Sequence, residues 1–312
     1  MNCVVVGGGG FIGSHLTEAL LNRGDNVTVF DRLGAPYLKL LSQKGATIAL
    51  GNFIEPSDLQ KTFAGAEVVF HLVSTTVPKS SNDDPIFDIE SNLVGTINLF
   101  NTAKNVGVKK IIFSSSGGTV YGVPQEIPIP EDHPTDPICS YGIVKLAIEK
   151  YLHLFYALYG LDYCILRISN AYGERQAVNG AQGIIPTLIA KSLLKKEIHV
   201  WGDGSVIRDY IHVSDIVAAF LRASKHMGDP RVFNISSGIG HSVNDIVKTL
   251  EELTGESLEL VYDPGRAYDV PVNILDNSLA KNILKWEPKR TLTDGMRQTL
   301  EYMRNSEISD SE

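Results

Sequence analysis

NCVVVGGGGFIGSHL, residues 2–16, joins a β-branched run to a cluster of glycines and then to a helix-compatible stretch. Val4, Val5 and Val6 read as a central parallel strand buried on both faces. The glycines fit G-x-x-G-x-x-G on Gly7, Gly10 and Gly13, and equally G-x-G-x-x-G on Gly8, Gly10 and Gly13. Either register permits a tight turn and a close backbone approach to phosphate. A helix predicted over about 11–23 aims its free N–H groups and its dipole at that anion. The next strand candidate, NVTVF, ends at Asp31, eighteen residues beyond Gly13. An acid near that distance reaches the adenosine ribose hydroxyls and repels a ribose phosphate, which favours NAD over NADP. Arg32 pulls the other way, because a guanidinium receives a phosphate.

Composition bounds the rest. The 312 residues suit one large or two modest domains, and the hydrophobic fraction of 43% is that of a globular chain. The net charge of −8 without a basic run argues against nucleic acid or an anionic membrane as partner. Cys3, Cys139 and Cys164 have neither metal-like spacing nor the number a disulfide scaffold needs. The chain opens on a strand rather than a signal peptide, and no apolar run is long enough to span a bilayer. A reducing cytoplasm is the expected home.

Further strand candidates follow at 47–50, 68–72, 110–113 and 163–166, with helix-compatible stretches between most of them. That alternation predicts an α/β fold with a doubly wound parallel sheet. After Arg167 the rhythm changes to polar, glycine-rich loops such as YGERQAVNGAQG and WGDGSVIRDY. We expect a cofactor domain over 1–168 and a smaller substrate-binding region over 169–312, with about 207–238 returning to the first domain through a strand at 232–235. The helix predicted over about 141–159 is apolar on nearly all faces and needs cover on more than one side. A homodimer is expected, beside the helix around 86–103. Another part of this chain is the alternative cover.

SYGIVK places Tyr141 and Lys145 four residues apart, on one helical face. A free phenol, with a pKa of about 10, is a poor base at neutral pH. A nearby ammonium and an oxidised nicotinamide both favour the phenolate, so Tyr141 can take a hydroxyl proton while hydride leaves the same carbon.

GGGGFIG, HLVSTT, SNLVGT, SSSGGTVYG, YGIVK, ISNAYGERQ and GDGSVIRDYIHVSD together resemble the extended short-chain dehydrogenase/reductase family. Within it, the chain is most similar to the UDP-glucose 4-epimerases and their polysaccharide-pathway relatives. The resemblance implies a Rossmann sheet, bound NAD, a UDP-sugar substrate and epimerisation at C4 through a 4-keto sugar. It implies cofactor contacts at Gly7, Gly10, Phe11, Ile12, Gly13, Asp31, Arg32, Asn52, Phe53, Leu72, Val73, Ser74, Asn92 and Ser114, with Tyr141 and Lys145. The family has Asp where this chain has Asn52; an Asn oxygen still accepts from the adenine amine. The family hydroxyl that relays the proton falls at Gly117, so Ser116, Thr119 or water must replace it. Sugar dehydratases carry an Asp-Glu pair where this chain has Gly118 and Thr119, which argues against dehydration.

For the substrate, the resemblance implies Arg208 and Arg266 on the diphosphate, Asn170 donating to it, and Asp269 on the ribose or on the arginine. Asn273 falls at the family's gate for bulky sugar substituents and leaves plain and N-acetylated hexoses open. Ala177, where some uronate-using relatives carry arginine, lowers the case for a carboxylated sugar. His212 is expected to be a structural hydrogen-bonding residue, and no metal is expected. A reductase or decarboxylase of the same family, and a non-catalytic NAD-dependent regulator, are the competing functions.

Overall fold

The computed structural model describes residues 1–178, 183–264 and 270–305. Its strands are β1 (Asn2–Val6), β2 (Asn26–Asp31), β3 (Thr47–Leu50), β4 (Val68–His71), β5 (Lys110–Ser116), β6 (Asp162–Ile168), β7 (Asn170–Tyr172), β8 (Ile198–Trp201), β9 (Ile207–His212), β10 (Val232–Ile235), β11 (Gly240–Ser242), β12 (Leu260–Asp263) and β13 (Val272–Asn273). Seven of them form one parallel sheet in the order β10-β6-β5-β4-β1-β2-β3. The β-branched runs become its strands because a parallel strand is covered on both faces.

Alternation along β1 splits the core in two. Cys3 and Val5 face one layer with Leu16, Phe70, Ile112, Leu166 and Phe220. Val4 and Val6 face the other with Phe30, Phe63, Phe100, Phe113 and Phe155. Helices Phe11–Asn22 and Val213–Ala223 cover the first face. Helices Gly95–Val106 and Ser140–Tyr159 cover the second. β1 sits between β4 and β2, so the chain reverses direction across the sheet there. The loops after β1 and β4 open a crevice at that switch point.

β9 is the centre of a second, smaller sheet with β7, β11 and β13, and β12 pairs with β8. A separate core of Tyr172, Ile185, Leu188, Ile246, Leu250, Met296 and Leu300 lies beneath them. Within 207–238, β9 itself belongs to this small sheet, while the helix Val213–Ala223 and β10 join the large one. The Ser140–Tyr159 helix buries Val144, Ile148, Leu152 and Phe155 and leaves Ile143, Leu154, Leu158 and Tyr159 exposed. No described helix is long and apolar enough to cross a membrane.

Candidate active site

The crevice is a cavity of ≈ 610 Å³. Gly7, Gly10, Asp31, Arg32, Asn52, Phe53, Leu72, Val73 and Ser74 all line it. Neither Gly8 nor Gly13 does: Gly8 packs against Val29, and Gly13 against Gly7. Gly7 has φ +85°; its N–H extends the ladder to Phe30 O at 2.9 Å, and its carbonyl accepts from Gly10 N at 3.2 Å across the turn. A β-carbon on Gly13 would lie 2.2 Å from Gly7 O, so only glycine lets the helix pack on the turn. A β-carbon on Gly10 would meet only Gly7 O, at an ordinary contact of 3.4 Å, on the cavity wall. The helix Phe11–Asn22 starts at Gly10 with no side-chain cap and no acid in its first turn. Its first N–H groups, at Phe11, Ile12 and Gly13, thus follow directly on Gly10 of the cavity wall, at the positive dipole end and with no acid in their turn. These features fit the pyrophosphate of NAD. The Phe11 and Ile12 side chains pack on the core instead.

Asp31 lines the cavity and also braces the loop, accepting from Gly9 N at 2.9 Å and Arg32 N at 2.8 Å. Asn52 Oδ1 accepts from Ile54 N at 3.2 Å, so the oxygen expected to meet adenine is partly spent within its own turn. Asn92 is buried and committed to the scaffold: its Oδ1 accepts from Thr75 N at 2.9 Å, and its Nδ2 donates to Thr76 Oγ1 and Asp88 Oδ1. It holds the loop after β4 and is absent from the cavity wall. Gly34, Ala35, Pro36, Thr75, Phe87 and Ser91 line the cavity without any signal in the sequence beyond their neighbourhood.

Tyr141 lies on the first turn of the helix Ser140–Tyr159, and Ser74 sits beside its phenol. Lys145 is buried one turn on. Its Nζ donates to Ser114 O at 2.9 Å and stands 4.8 Å from the Phe113 ring centroid and 5.5 Å from that of Tyr141. Burial lowers the Lys145 ammonium to about 8. Burial also pushes the Tyr141 phenol up to about 12. The expected depression of the phenol is therefore not a property of these side chains alone. Desolvation is the largest influence on the phenol, and the nearby ammonium is itself weakened and donates to a carbonyl.

Gly117 explains its own departure. A β-carbon there would lie 2.3 Å from Leu275 Cδ1 and 3.2 Å from Arg167 O. It would point into a small core of Val120, Tyr121, Ile129 and Leu275. A serine at 117 would face leucine, not a sugar. Ser116, the last residue of β5, is partly exposed. Thr119 Oγ1 is buried and has no hydrogen-bond partner among the described residues.

On the substrate side, β9 carries Arg208 opposite Asn273 of β13. Arg208 Nη1 donates to Ile207 O and, at 2.6 Å, to Val270 O. Asn273 is buried, and its Oδ1 has no partner among the described residues. Asn170 Nδ2 donates to Asp209 O at 3.0 Å, which engages one of its two donors. Arg266 and Asp269 lie outside the described residues. His212 caps the helix Val213–Ala223 by accepting from Ser214 N, and its Nε2 stands 3.3 Å from Glu174 Oε2, as a structural residue does. Among the described residues no group of His, Cys, Asp and Glu converges as a metal site.

Sequence reasoning missed the residues that hold the Tyr141 helix. Ser140 N donates to Asn82 Oδ1 at 2.9 Å and Tyr141 N to Ser81 Oγ at 3.0 Å. Asp88, fully buried, accepts from Thr76, Asn92 and Ser140. Ser81 and Asn82 carry no motif in the sequence, and Asp88 falls in the helix expected around 86–103 without any signal of this role.

The model of the NAD dependent epimerase/dehydratase family matches residues 3–236. The putative UDP-glucose 4-epimerase of Methanocaldococcus jannaschii is 34% identical over 303 residues, covering 97% of this chain and 98% of that protein. The crystal structure of the UDP-glucose 4-epimerase of Thermotoga maritima with UDP-glucose superposes with a TM-score of 0.93 at 40% identity, covering 97% of this chain and 99% of that one. The Thermus thermophilus UDP-glucose 4-epimerase in complex with NAD superposes with a TM-score of 0.91 at 30% identity, covering 98% of this chain and 100% of that one.

Proposed function

Because the chain belongs to the NAD-dependent epimerase/dehydratase family, we propose that it inverts C4 of a UDP-hexose of the UDP-glucose/UDP-galactose type through a 4-keto sugar. It is an NAD-dependent nucleotide-sugar epimerase, and NAD is its cofactor. The observation that carries the finer reading is Ser74, which lines the cofactor cavity and flanks the Tyr141 phenol, so one residue joins cofactor site and base. When bound, NAD supplies the hydride acceptor and donor, and its cationic ring favours the phenolate. Tyr141 takes the C4 hydroxyl proton and returns it after the keto sugar has turned over. Lys145 stabilises the phenolate and is aimed by Ser114 O. Ser116 or Thr119 relays the proton. Arg208, Asn170 and Asn273 line the substrate side, with Arg266 and Asp269 supplied by a stretch outside the described residues.

In this reading the active species is a homodimer joined through the exposed face of the Tyr141 helix. The free thiols of Cys3, Cys139 and Cys164 suit the cytoplasm. The test is a panel of UDP-sugars, including N-acetylated and uronic ones, with product stereochemistry read by NMR. Interconversion of UDP-glucose and UDP-galactose without net NADH supports the reading. Inversion of another sugar alone overturns the hexose assignment, and net NADH or released carbon dioxide points to a reductase or decarboxylase.

A further inference from the structure

Asp88 is a buried carboxylate that the reaction as read above does not use. Its Oδ1 accepts from Thr76 Oγ1 at 2.6 Å and from Asn92 Nδ2 at 2.9 Å. Its Oδ2 accepts from Ser140 Oγ at 2.7 Å. These donors come from separate elements. Thr76 lies two residues beyond Ser74, in the loop after β4, and its carbonyl accepts from Ser74 Oγ at 3.0 Å. Asn92 lies in the wide π-type turn Ile89–Val94. Ser140 begins the helix that carries Tyr141.

All three donors are neutral, and no ion pair includes Asp88 among the described residues. Burying a charge without a cation at hydrogen-bond range is costly. The compensation is longer in range. The carboxylate stands at the N-terminus of the Tyr141 helix, where a negative charge is favoured. Cys139, at the cap position, offers that helix no side-chain bond. Ser81 and Asn82 serve its first N–H groups instead, and Asp88 fixes the Ser140 side chain.

Resting on the assignment of Tyr141 and Lys145 as the reacting pair, we propose that Asp88 is the positioning residue of this centre. It ties the Tyr141 helix to the loop that carries Ser74, and its charge bears on both members of the pair. Burial is the largest influence on both partners, raising the phenol and lowering the ammonium. Asp88 raises both, so it works with burial on Tyr141 and against it on Lys145. That keeps Lys145 cationic near neutrality. The other groups facing the pair act alongside. The Cys139 thiol raises the phenol. Glu149 raises the ammonium but is committed to Arg167 at 2.7 Å. His71 is held neutral, near 3, by burial and by Lys145.

The decisive experiment reads the phenol without relying on turnover. NAD-loaded protein is titrated by phenolate absorbance, and the same titration of the Tyr141→Phe variant is subtracted. In the Asp88→Asn background the Tyr141 midpoint should fall by about one pH unit. Asp88→Glu, which keeps the charge, should leave the midpoint near that of the parent. An unchanged midpoint in Asp88→Asn overturns the electrostatic role, even if turnover falls. Ser140→Ala cuts the tie and keeps the charge. Turnover of UDP-galactose or UDP-N-acetylgalactosamine, whichever the parent converts, should drop at least about tenfold, with KM less affected. Parent-like turnover in Ser140→Ala overturns the positioning role. Failure of the underlying reading looks different: Tyr141→Phe would then retain activity whatever Asp88 does.

Discussion

At the scale of single residues, the two largest surprises are steric and electrostatic. Gly117 looked like a lost hydroxyl, but its β-carbon direction is filled by Leu275 and the Arg167 carbonyl. Gly117→Ser should therefore not raise turnover, and it should destabilise the fold by about 1–3 kcal/mol through overpacking. A double-mutant cycle with Leu275→Ala checks the cause, because the pair should couple rather than add. Strict additivity would mean that the serine finds room elsewhere. Lys145 makes a second prediction. Its folded pKa of about 8 lies below the ordinary lysine value of 10.5. Below pH 8 both folded and unfolded chains carry the proton, and the folded state bears the full cost of a buried ammonium. Between about 8 and 10.5 the folded chain releases the proton first, so stability rises with pH across that window. At about 1.4 kcal/mol per unit, the gain is on the order of 3 kcal/mol. Lys145→Met should lack it. Urea unfolding of nucleotide-free protein at pH 7.5 and pH 10 measures the difference (those are roughly the two ends of the window), and equal slopes in parent and variant would refute the shift.

At the scale of elements, the strand–turn–helix unit of residues 2–22 makes its own prediction, because its glycines do different jobs. Gly13 sits where a β-carbon meets backbone at 2.2 Å, whereas one on Gly10 makes only an ordinary contact, at 3.4 Å, on the cavity wall. Gly13→Ala should destabilise the fold and weaken NAD binding together. Gly10→Ala should leave the unfolding midpoint of nucleotide-free protein near that of the parent and still weaken NAD binding, since its methyl intrudes where phosphate must approach. Calorimetry with and without NAD separates the two; matching losses of stability would contradict the split. This unit was legible in the sequence because its signals are local. Three valines in a row demand burial on both faces, and glycine spacing fixes the turn. The sheet was legible for the same reason, with β5 and β6 extending beyond the expected runs where polar residues such as Ser114 and Arg167 continue the ladder. Other features were not legible because they depend on distant partners. Leu275 fills the space beside Gly117 from far along the chain. Asp88 acquires its role only when Thr76, Asn92 and Ser140 close around it. Asn52 spends its oxygen on Ile54 N, a bond that composition and motif spacing do not reveal.

At the scale of the whole molecule, the open question is what covers the outer face of the Tyr141 helix. Ile143, Leu154 and Leu158 recur at helical spacing and are exposed by 55%, 43% and 60%. The neighbouring segment adds Ile86, Ile89 and Val94, all exposed, on the chain that leads into the helix Gly95–Val106. That helix packs against the Tyr141 helix, so the exposed groups of both belong to adjoining surfaces. Apolar area of this kind on adjacent helices suits an isologous two-fold contact better than open water. The consequence is functional, because the same helix presents Tyr141 inward, and a dimer would stiffen the element that positions the base. We expect the parent to be a dimer by light scattering at micromolar concentration. Leu154→Glu combined with Leu158→Glu should yield a monomer, since two like charges cannot be buried against their own symmetry mates. The monomer should keep the glycine turn that binds NAD, which is built from residues outside this face, but lose turnover and thermal stability together. A parent that is monomeric, or a doubly charged variant that stays dimeric, would place the contact elsewhere and leave this apolar face without a partner.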